Sequence, residues 1–383
     1  MSQHHPLNCI LPPYIIQKII ENGSQAQRSW AVQTARATTT LRTQRLTFAE
    51  MGGLALPAAA AARRRNVYTA DTGTALPGRL LRTEGQPACG NTAADEAFDG
   101  AGETYDLFKE SYNRDSIDGR GLPLDSTVHY QKGYDNAFWN GSQMVYGDGD
   151  EDLPAAERIF NRFTIALDVI GHELTHGITQ YTAALTYQNQ SGALNESMSD
   201  VFGSLVKQRK LGHSAAAADW IIGAGLFTAN VKGVGLRSMK APGTAYDDPV
   251  IGKDPQPAHL KDYLQTTDDN GGVHYNSGIP NHAFYITAVE IGGNAWDKAG
   301  QIWYAALTSK LQAASDFQAA ANLTFQAAAE LFGQASLEQK AVAKGWNEVG
   351  ITPAALPADT GKTTNPGCLP ALLRVLQSIP TRK

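Results

Sequence analysis

The chain has 383 residues, 42% of them hydrophobic and 18% charged, with a formal net charge of −5. That length is enough for a large core and more than one domain, and the composition is that of a globular protein. The acidic balance argues against nucleic acid as the main partner, and no apolar run approaches the ~18 residues of a membrane span. Cys9, Cys89 and Cys368 are odd in number and far apart, so no disulfide framework can be read.

At the amino end, Met1 to Asn8 has no basic stretch leading into an apolar one. The expectation is therefore no ordinary secretion signal, with export by a non-classical route or retention in the cytoplasm. Charge is uneven. Residues 1–65 hold Lys18, Arg28, Arg36, Arg42, Arg45, Arg63, Arg64 and Arg65 against only Glu21 and Glu50, while the remainder is strongly acidic. A basic arm on an acidic body predicts a segment that docks on its own protein. Pro12-Pro13 opens a short helix with Ile15, Ile16, Ile19 and Ile20 on one side, and Asn22-Gly23 ends it. Arg/Thr/Gln-rich residues 24–46 follow, then an alanine run to Arg63-Arg64-Arg65 that reads as an exposed linker. A processing cut is expected between about residues 40 and 66.

From Asn66 the pattern changes to short strands between Gly/Asp turns: Val67-Tyr68, Leu80–Arg82, Val128–Tyr130 and Met144–Tyr146, with a helix near Thr104–Tyr112. The apolar run Phe160–Leu174 predicts a buried helix. Beyond it the chain reads as mainly helical, over about 195–210, 278–292, 297–313, 316–332 and 337–346, supported by alanine-rich stretches. After Ile351 come Pro353, Pro357, Pro366, Pro370 and Pro380, with one short amphipathic patch at Leu369, Leu372, Leu373, Leu376 and Ile379. The fold class read here is α+β: a β-rich front lobe and a helical back lobe with one buried helix between them. The divisions are 1–65, 66–177, 178–351 and 352–383. Nothing in the chain demands more than a monomer.

That buried helix carries His172-Glu173-Leu174-Thr175-His176. Histidines at i and i+4 project from one helical face and can share one metal ion. Glu196, twenty residues on, adds a third ligand and leaves a tetrahedral zinc with one open position, the arrangement of a hydrolytic site. Zinc lowers the pKa of bound water from 15.7 to about 7, and Glu173, beside the metal but not on it, can take a proton from water and pass it to a leaving amine. Asp200, one turn after Glu196, can fix the tautomer of a ligand histidine. A surface helix with two solvated histidines is the bland alternative, and the apolar setting argues against it. His274 is a candidate oxyanion donor, with Asp269 placed to keep it protonated; Tyr187 and Arg237 are further candidates whose ordinary readings are core packing and a surface arginine.

Five segments, in order, are Asn136-Ala-Phe-Trp-Asn140, Gly171-His-Glu-Leu-Thr-His-Gly177, Gly192-Ala-Leu-Asn-Glu-Ser-Met-Ser-Asp200, Leu236-Arg-Ser-Met239 and Asn270-Gly-Gly-Val-His-Tyr-Asn-Ser-Gly278. Together they closely resemble the thermolysin family of neutral zinc metallopeptidases, over roughly residues 66–351. The resemblance implies His172, His176 and Glu196 as zinc ligands and Glu173 as the catalytic glutamate. It implies Tyr187 and His274 as transition-state donors, Asp269 as the partner of His274, Asp200 as the partner of a zinc histidine, and Asn136 and Arg237 as contacts to the substrate backbone. The family's S1′ pocket falls on Phe160, Phe163, Val169, Ile222, Leu226 and Leu236, all apolar, which implies cleavage on the amino side of bulky hydrophobic residues.

Two departures stand out. The family's paired-calcium site falls on Asp168, Lys207, Asp219, Ile221 and Ala224, so few oxygens remain for an ion that takes six to eight, and weak calcium dependence is expected. The amino end lacks a long propeptide, and its Pro12-Pro13-Tyr14 is similar to the short-propeptide protealysin subgroup. Residues 1 to about 50–65 are then expected to be an inhibitory prosegment lying in the cleft, with Cys9 either a buried structural residue or a thiolate reaching the zinc. Two further readings are an inactive zinc-bearing protein that binds peptides through the same cleft, and a tail patch around Leu372–Ile379 that recruits a partner.

Overall fold

The computed structural model describes residues 8–50 and 62–354. The alanine run at 51–61 and the Pro-rich tail from 355, with Cys368 and the Leu369–Ile379 patch, lie outside the described residues.

The front lobe is built on a six-stranded sheet in the order β1-β5-β6-β4-β2-β3. These strands are β1 (Asn8–Cys9), β2 (Arg65–Thr69), β3 (Arg79–Thr83), β4 (Leu124–Val128), β5 (Ala137–Trp139) and β6 (Met144–Tyr146). β4 runs parallel to both β2 and β6, and the other pairs are antiparallel. The strand expected at Val128–Tyr130 lies earlier: β4 ends at Val128, and His129 turns the chain with φ +56. β5, whose residues all face the interior, shows no alternation of apolar and polar residues and so gave no strand signal.

Helix α3 (Thr92–Tyr112) packs on this sheet, capped by Asn91, whose side chain accepts from the Ala94 N–H. Its first half was not visible in the sequence because it buries Ala93, Ala94, Ala97, Gly100 and Ala101 rather than a stripe of large residues. The smallness has a purpose: a Cβ at Gly100 would lie 2.4 Å from the Ile170 side chain of the central helix. That central helix, α4, spans Leu167–Gln180. The run Phe160–Leu174 therefore divides. Phe160 bridges to Phe227, Phe163–Ile165 forms a 3₁₀ turn, and only then does the α-helix begin. Apolar runs of this length do not separate strand from helix by periodicity.

The back lobe follows with α5 (Asn189–Leu211), the short pairs β7 (Ile221–Ile222) with β8 (Arg237–Ser238) and β9 (Asp247–Asp248) with β10 (Gly252–Lys253), and α6 (Asp269–Asn276). Four helices close it: α7 (Gly278–Ile291), α8 (Ala299–Ser309), α9 (Phe317–Phe332) and α10 (Leu337–Glu348). They match the helical stretches read from the sequence to within a few residues. The α+β, two-lobed reading stands.

The arm forms β1, then α1 (Pro13–Asn22) and α2 (Gln25–Glu50). α1 buries Ile15, Ile16 and Ile19 as expected. α2 is a 26-residue helix that the sequence did not announce. Its inward face is Ala31, Thr34, Thr38 and Leu41, helical in spacing but too small and polar to read as an apolar stripe. The charge argument for docking holds only at the end of the arm. Among the described residues of the arm, Lys18 pairs with Glu21 on its own helix and Arg28 donates to the Gly23 carbonyl. Residues 8–41 of the arm reach the body through a strand, apolar packing and neutral groups: Ser24 and Gln27 bond Glu157, Gln33 donates to the Lys132 carbonyl, and Thr34 donates to the Gly133 carbonyl. The alanine run expected as a linker lies almost wholly outside the described residues; of Arg63-Arg64-Arg65, which end it, only Arg64 is exposed. Arg65 is buried, pairs with Glu84 and lies over the Phe98 ring at 3.7 Å, while Arg63 pairs with Asp106.

Candidate active site

α4 and α5 cross in close contact because glycine stands at the crossing on both. A Cβ on Gly171 would sit 3.0 Å from the Gly203 Cα, and one on Gly203 would sit 2.4 Å from the Asp168 carbonyl. This proximity brings His172 and His176 on α4 against Glu196 on α5, all three buried. Among the described residues, these three form the group whose ligand atoms converge within 4.8 Å of one another. The His172 and His176 Nε2 atoms are 3.0 Å apart, and Glu196 lies 3.5 and 3.4 Å from them.

The other ring nitrogens explain why a cation fits. His172 Nδ1 is 2.8 Å from Asp200 Oδ1, and His176 Nδ1 is 2.8 Å from Asn195 Oδ1 and 3.0 Å from Ser199 Oγ. Protons held at Nδ1 turn both Nε2 lone pairs toward each other, beside a carboxylate oxygen, Glu196 Oε2, with no hydrogen-bond partner. Ligand atoms ~2.0–2.1 Å from one tetrahedral ion lie roughly 3.3 Å apart, which matches the observed spacing. The donor set and its geometry suit zinc.

Around this centre the structure gathers the other residues singled out in the sequence. Glu173 is fully buried, and its Oε2 accepts from the Trp139 N–H at 3.0 Å. Burial, and then the Glu196 charge, hold its carboxyl well above the usual range. Tyr187 donates to Glu196 and lies 3.3 Å from His274 Nε2. Asp269 accepts from both the backbone N–H (2.8 Å) and Nδ1 (2.7 Å) of His274. This is a product of unusual backbone: Asp269, Asn270, Gly271 and Gly272 all have positive φ, curling the chain so that Asp269 faces His274. Burial alone would depress the His274 pKa, but Asp269 and Glu196 outweigh it and push it up to about 9. Both ring nitrogens of His274 therefore donate near neutral pH.

Asp200 is a hub. Besides His172 it accepts from Arg237 Nε and Nη2, both at 2.9 Å, and from Asn281 Nδ2 at 2.8 Å. Arg237 is wholly buried, so the surface-arginine reading fails. Arg237 and His172 hold the Asp200 carboxyl far below its ordinary value despite its burial. Asn195, Ser199 and Asn281 were missed in the sequence. Asn195 stood inside a quoted motif one residue before Glu196, but nothing in its spacing marks it as facing His176.

The cleft beside these residues holds the arm. β1 extends the sheet at β5, and Asn136 Oδ1, which also accepts from the Ala137 N–H, accepts from the Leu11 N–H at 3.1 Å. Arg237 Nη1 donates to the Ile10 carbonyl at 3.1 Å. Cys9 packs with Leu41, Tyr130, Tyr134, Phe138 and Val145 and is not part of the converging ligand group. Tyr14 packs its ring against Tyr275, tilted by 36° with ring centroids 4.4 Å apart.

The six pocket residues, Phe160, Phe163, Val169, Ile222, Leu226 and Leu236, are all fully buried in the core cluster that also contains Ile10. Phe160 and Phe163 touch ring to ring, the Asn161 N–H donates to the Leu226 carbonyl, and the Leu236 N–H donates to the Ile222 carbonyl. Nearby, Lys207 Nζ sits 2.8 Å from Asp168 and 3.0 Å from Asp219 and donates to the Ile221 carbonyl. An ammonium thus occupies the middle of the residues expected to be a reduced calcium site, while Ala224 contributes no side-chain oxygen.

Comparison with known proteins agrees with this geometry. Residues 26–180 match the family model described as thermolysin metallopeptidase, catalytic domain, and residues 183–351 match thermolysin metallopeptidase, alpha-helical domain. An extracellular metalloprotease of Pectobacterium carotovorum subsp. carotovorum is 50% identical over 347 residues, 90% of this chain and 97% of that protein. Thermolysin of Alicyclobacillus acidocaldarius subsp. acidocaldarius is 42% identical over 300 residues, covering 76% of this chain and 52% of that protein. The solved precursor of protealysin from Serratia proteamaculans superposes with a TM-score of 0.81 at 49% identity, over 90% of this chain and all of that one.

Proposed function

The chain belongs to the thermolysin family of zinc metallopeptidases, and we propose that it is a latent endopeptidase whose first 65 residues are a prosegment closing its own cleft. The observation that carries this is the convergence of His172, His176 and Glu196 beside Glu173 and His274, with β1 seated across them. His172, His176 and Glu196 would hold the metal, which when bound supplies a Lewis acid that polarises a carbonyl and acidifies water. Glu173, oriented by the Trp139 N–H and with its proton affinity raised by burial, takes a proton from water and delivers it to the leaving nitrogen. His274, protonated through Asp269, and Tyr187 donate to the oxygen on which negative charge builds. Asp200 fixes the His172 ring and Arg237 together, so metal site and substrate clamp share one carboxylate.

Asn136 and Arg237 bind the substrate backbone, and the Phe160–Leu236 pocket selects bulky apolar side chains on the amine side of the cut bond. Residues 66–177 and 178–351 serve as the two lobes of the catalytic unit, acting as a monomer. Lys207 replaces calcium as the structural cation. The Pectobacterium relative is named extracellular, which supports work outside the cell. Among the described residues no helix is long and apolar enough to cross a membrane.

The test is hydrolysis of quenched peptides with leucine or aspartate after the cut bond, by folded chain whose arm has been removed proteolytically. Leucine peptides should be cut, aspartate peptides spared, and both Glu173→Ala and a zinc chelator should abolish turnover. A zinc-loaded protein without turnover would instead make this a peptide-binding protein, and a preference for charged residues would overturn the pocket assignment.

A further inference from the structure

The arm does more than fill the cleft, because its polarity and register are those of a peptide presented for cutting. β1 runs antiparallel to β5, with Cys9 opposite Phe138. The Cys9 carbonyl accepts from His274 Nε2 at 3.0 Å. The Ile10 N–H donates to the Ala137 carbonyl at 3.3 Å, two residues along β5 from the Trp139 N–H that binds the Glu173 carboxylate. The Ile10 carbonyl takes Arg237, and the Leu11 N–H takes Asn136. A strand of opposite polarity would block access equally well, yet it would not set one carbonyl at the donor histidine and the next at Arg237. The register is pinned on both sides: a slip of one residue would turn Ile10 and Leu11, 0% and 1% exposed, to opposite faces and break the Tyr14–Tyr275 ring contact.

We propose that the Cys9–Ile10 bond is the first substrate of the chain's own site, cut within the same molecule, and that the cut leaves the enzyme latent. The proposal rests on the endopeptidase reading above. Water adds across the bond: its oxygen ends in the new Cys9 carboxylate, and Glu173 carries a proton to the Ile10 nitrogen, which leaves as an amine. Release does not follow. From Ile10 onward the arm remains continuous with α1 and α2, which stay fastened by Ser24 and Gln27 to Glu157, by Thr34 to Asp135 and Gly133, and by Thr38 to Tyr134. The new amine end therefore faces an effective concentration that free peptide cannot match. Activation is a separate, later event that must detach α2.

The experiment follows the intact mass of the zinc-loaded full chain over time, at several protein concentrations, beside Glu173→Ala. Loss of residues 1–9 at a rate independent of concentration, with the released peptide ending at Cys9 and no turnover of the leucine peptide, is the expected result. Glu173→Ala should keep its full mass. A chain that keeps residues 1–9 while the arm-free form cuts the leucine peptide overturns the proposal. So does a first cut at another bond, or a rate that rises with concentration. Failure of the arm-free form to cut any peptide would sink the endopeptidase reading and this proposal with it. A turnover-free readout tests the register in metal-free full chain: Ile10→Asp should speed alkylation of Cys9, followed by peptide mapping, by about tenfold or more. Unchanged protection of Cys9 would show that Ile10 does not seat the strand.

Discussion

Replacing Lys207 with methionine keeps an aliphatic chain of similar length and removes only the charge. In the folded chain Lys207 is 12% exposed at its side chain and pairs with Asp168, which is 1% exposed, and with Asp219, which is 49% exposed. The Asp219 pair is solvent-screened and contributes about 0–1 kcal/mol. Asp168 is the costly member, since the variant strands a buried carboxylate that keeps only the Gly223 N–H at 3.1 Å. Breaking a buried pair by removing one partner costs about 3–5 kcal/mol. At about 2.1 cal/mol/K per residue, roughly 340 ordered residues give about 0.7 kcal/mol/K, so Tm should fall by about 4–7 °C. Scanning calorimetry of the zinc-loaded chain measures it. Burial alone would lower the Lys207 pKa, but the two carboxylates outweigh it and raise it. The stabilisation is thus fully present below the unfolded lysine value and is lost only as pH rises through the higher folded one. Calcium supplies the second half of the test. Wild type should be indifferent to calcium chelation, whereas Lys207→Glu should be destabilised without calcium and recover when it is added. A wild-type Tm that drops several degrees on chelating calcium with zinc retained, or an unchanged Tm in Lys207→Met, refutes the reasoning.

Asn195→Ala removes the group that holds His176 Nδ1 and should weaken zinc binding by about 10–100-fold, read by competition with a chelating dye. Equal zinc affinity would mean that Ser199 alone orients the ring. His274→Ala should lower kcat of the arm-free enzyme by about 10²–10³ with zinc content unchanged; a change confined to KM would reassign His274 to binding. His129 is raised above its usual pKa chiefly by its hydrogen bond to Asp148, against burial. A raised histidine stabilises below its unfolded pKa and loses that effect as pH rises through the folded one. Asp148→Asn should therefore cost about 1 kcal/mol in mildly acidic buffer, and the gap to wild type should close in alkaline buffer. Urea denaturation across pH that shows the gap widening instead would contradict the sign.

The chemistry of this protein was legible because a helix fixes the spacing of its own side chains. His172 and His176 must share a face whatever surrounds them, and Glu173 must stand beside them, so the sequence already implied a metal and a base. The helices of the back lobe were readable for the same local reason. Three things were not. α2 hides because its buried face is Ala31, Thr34 and Thr38, side chains that carry no hydrophobic signal yet fit closely against Gly133 and Tyr134. Asn195, Ser199 and Asn281 hide because a hydrogen bond between helices depends on how they cross, which Gly171 and Gly203 allow but do not announce. The arm's docking was anticipated from its charge, but over residues 8–41 the folded chain binds it through backbone, neutral polar and apolar groups, and among its described residues only Arg63 and Arg65 pair with acids of the body. Net charge acts at long range and is blind to register. Which arm carbonyl meets His274 is set by a strand pairing across more than a hundred residues, and only the tertiary structure could decide it.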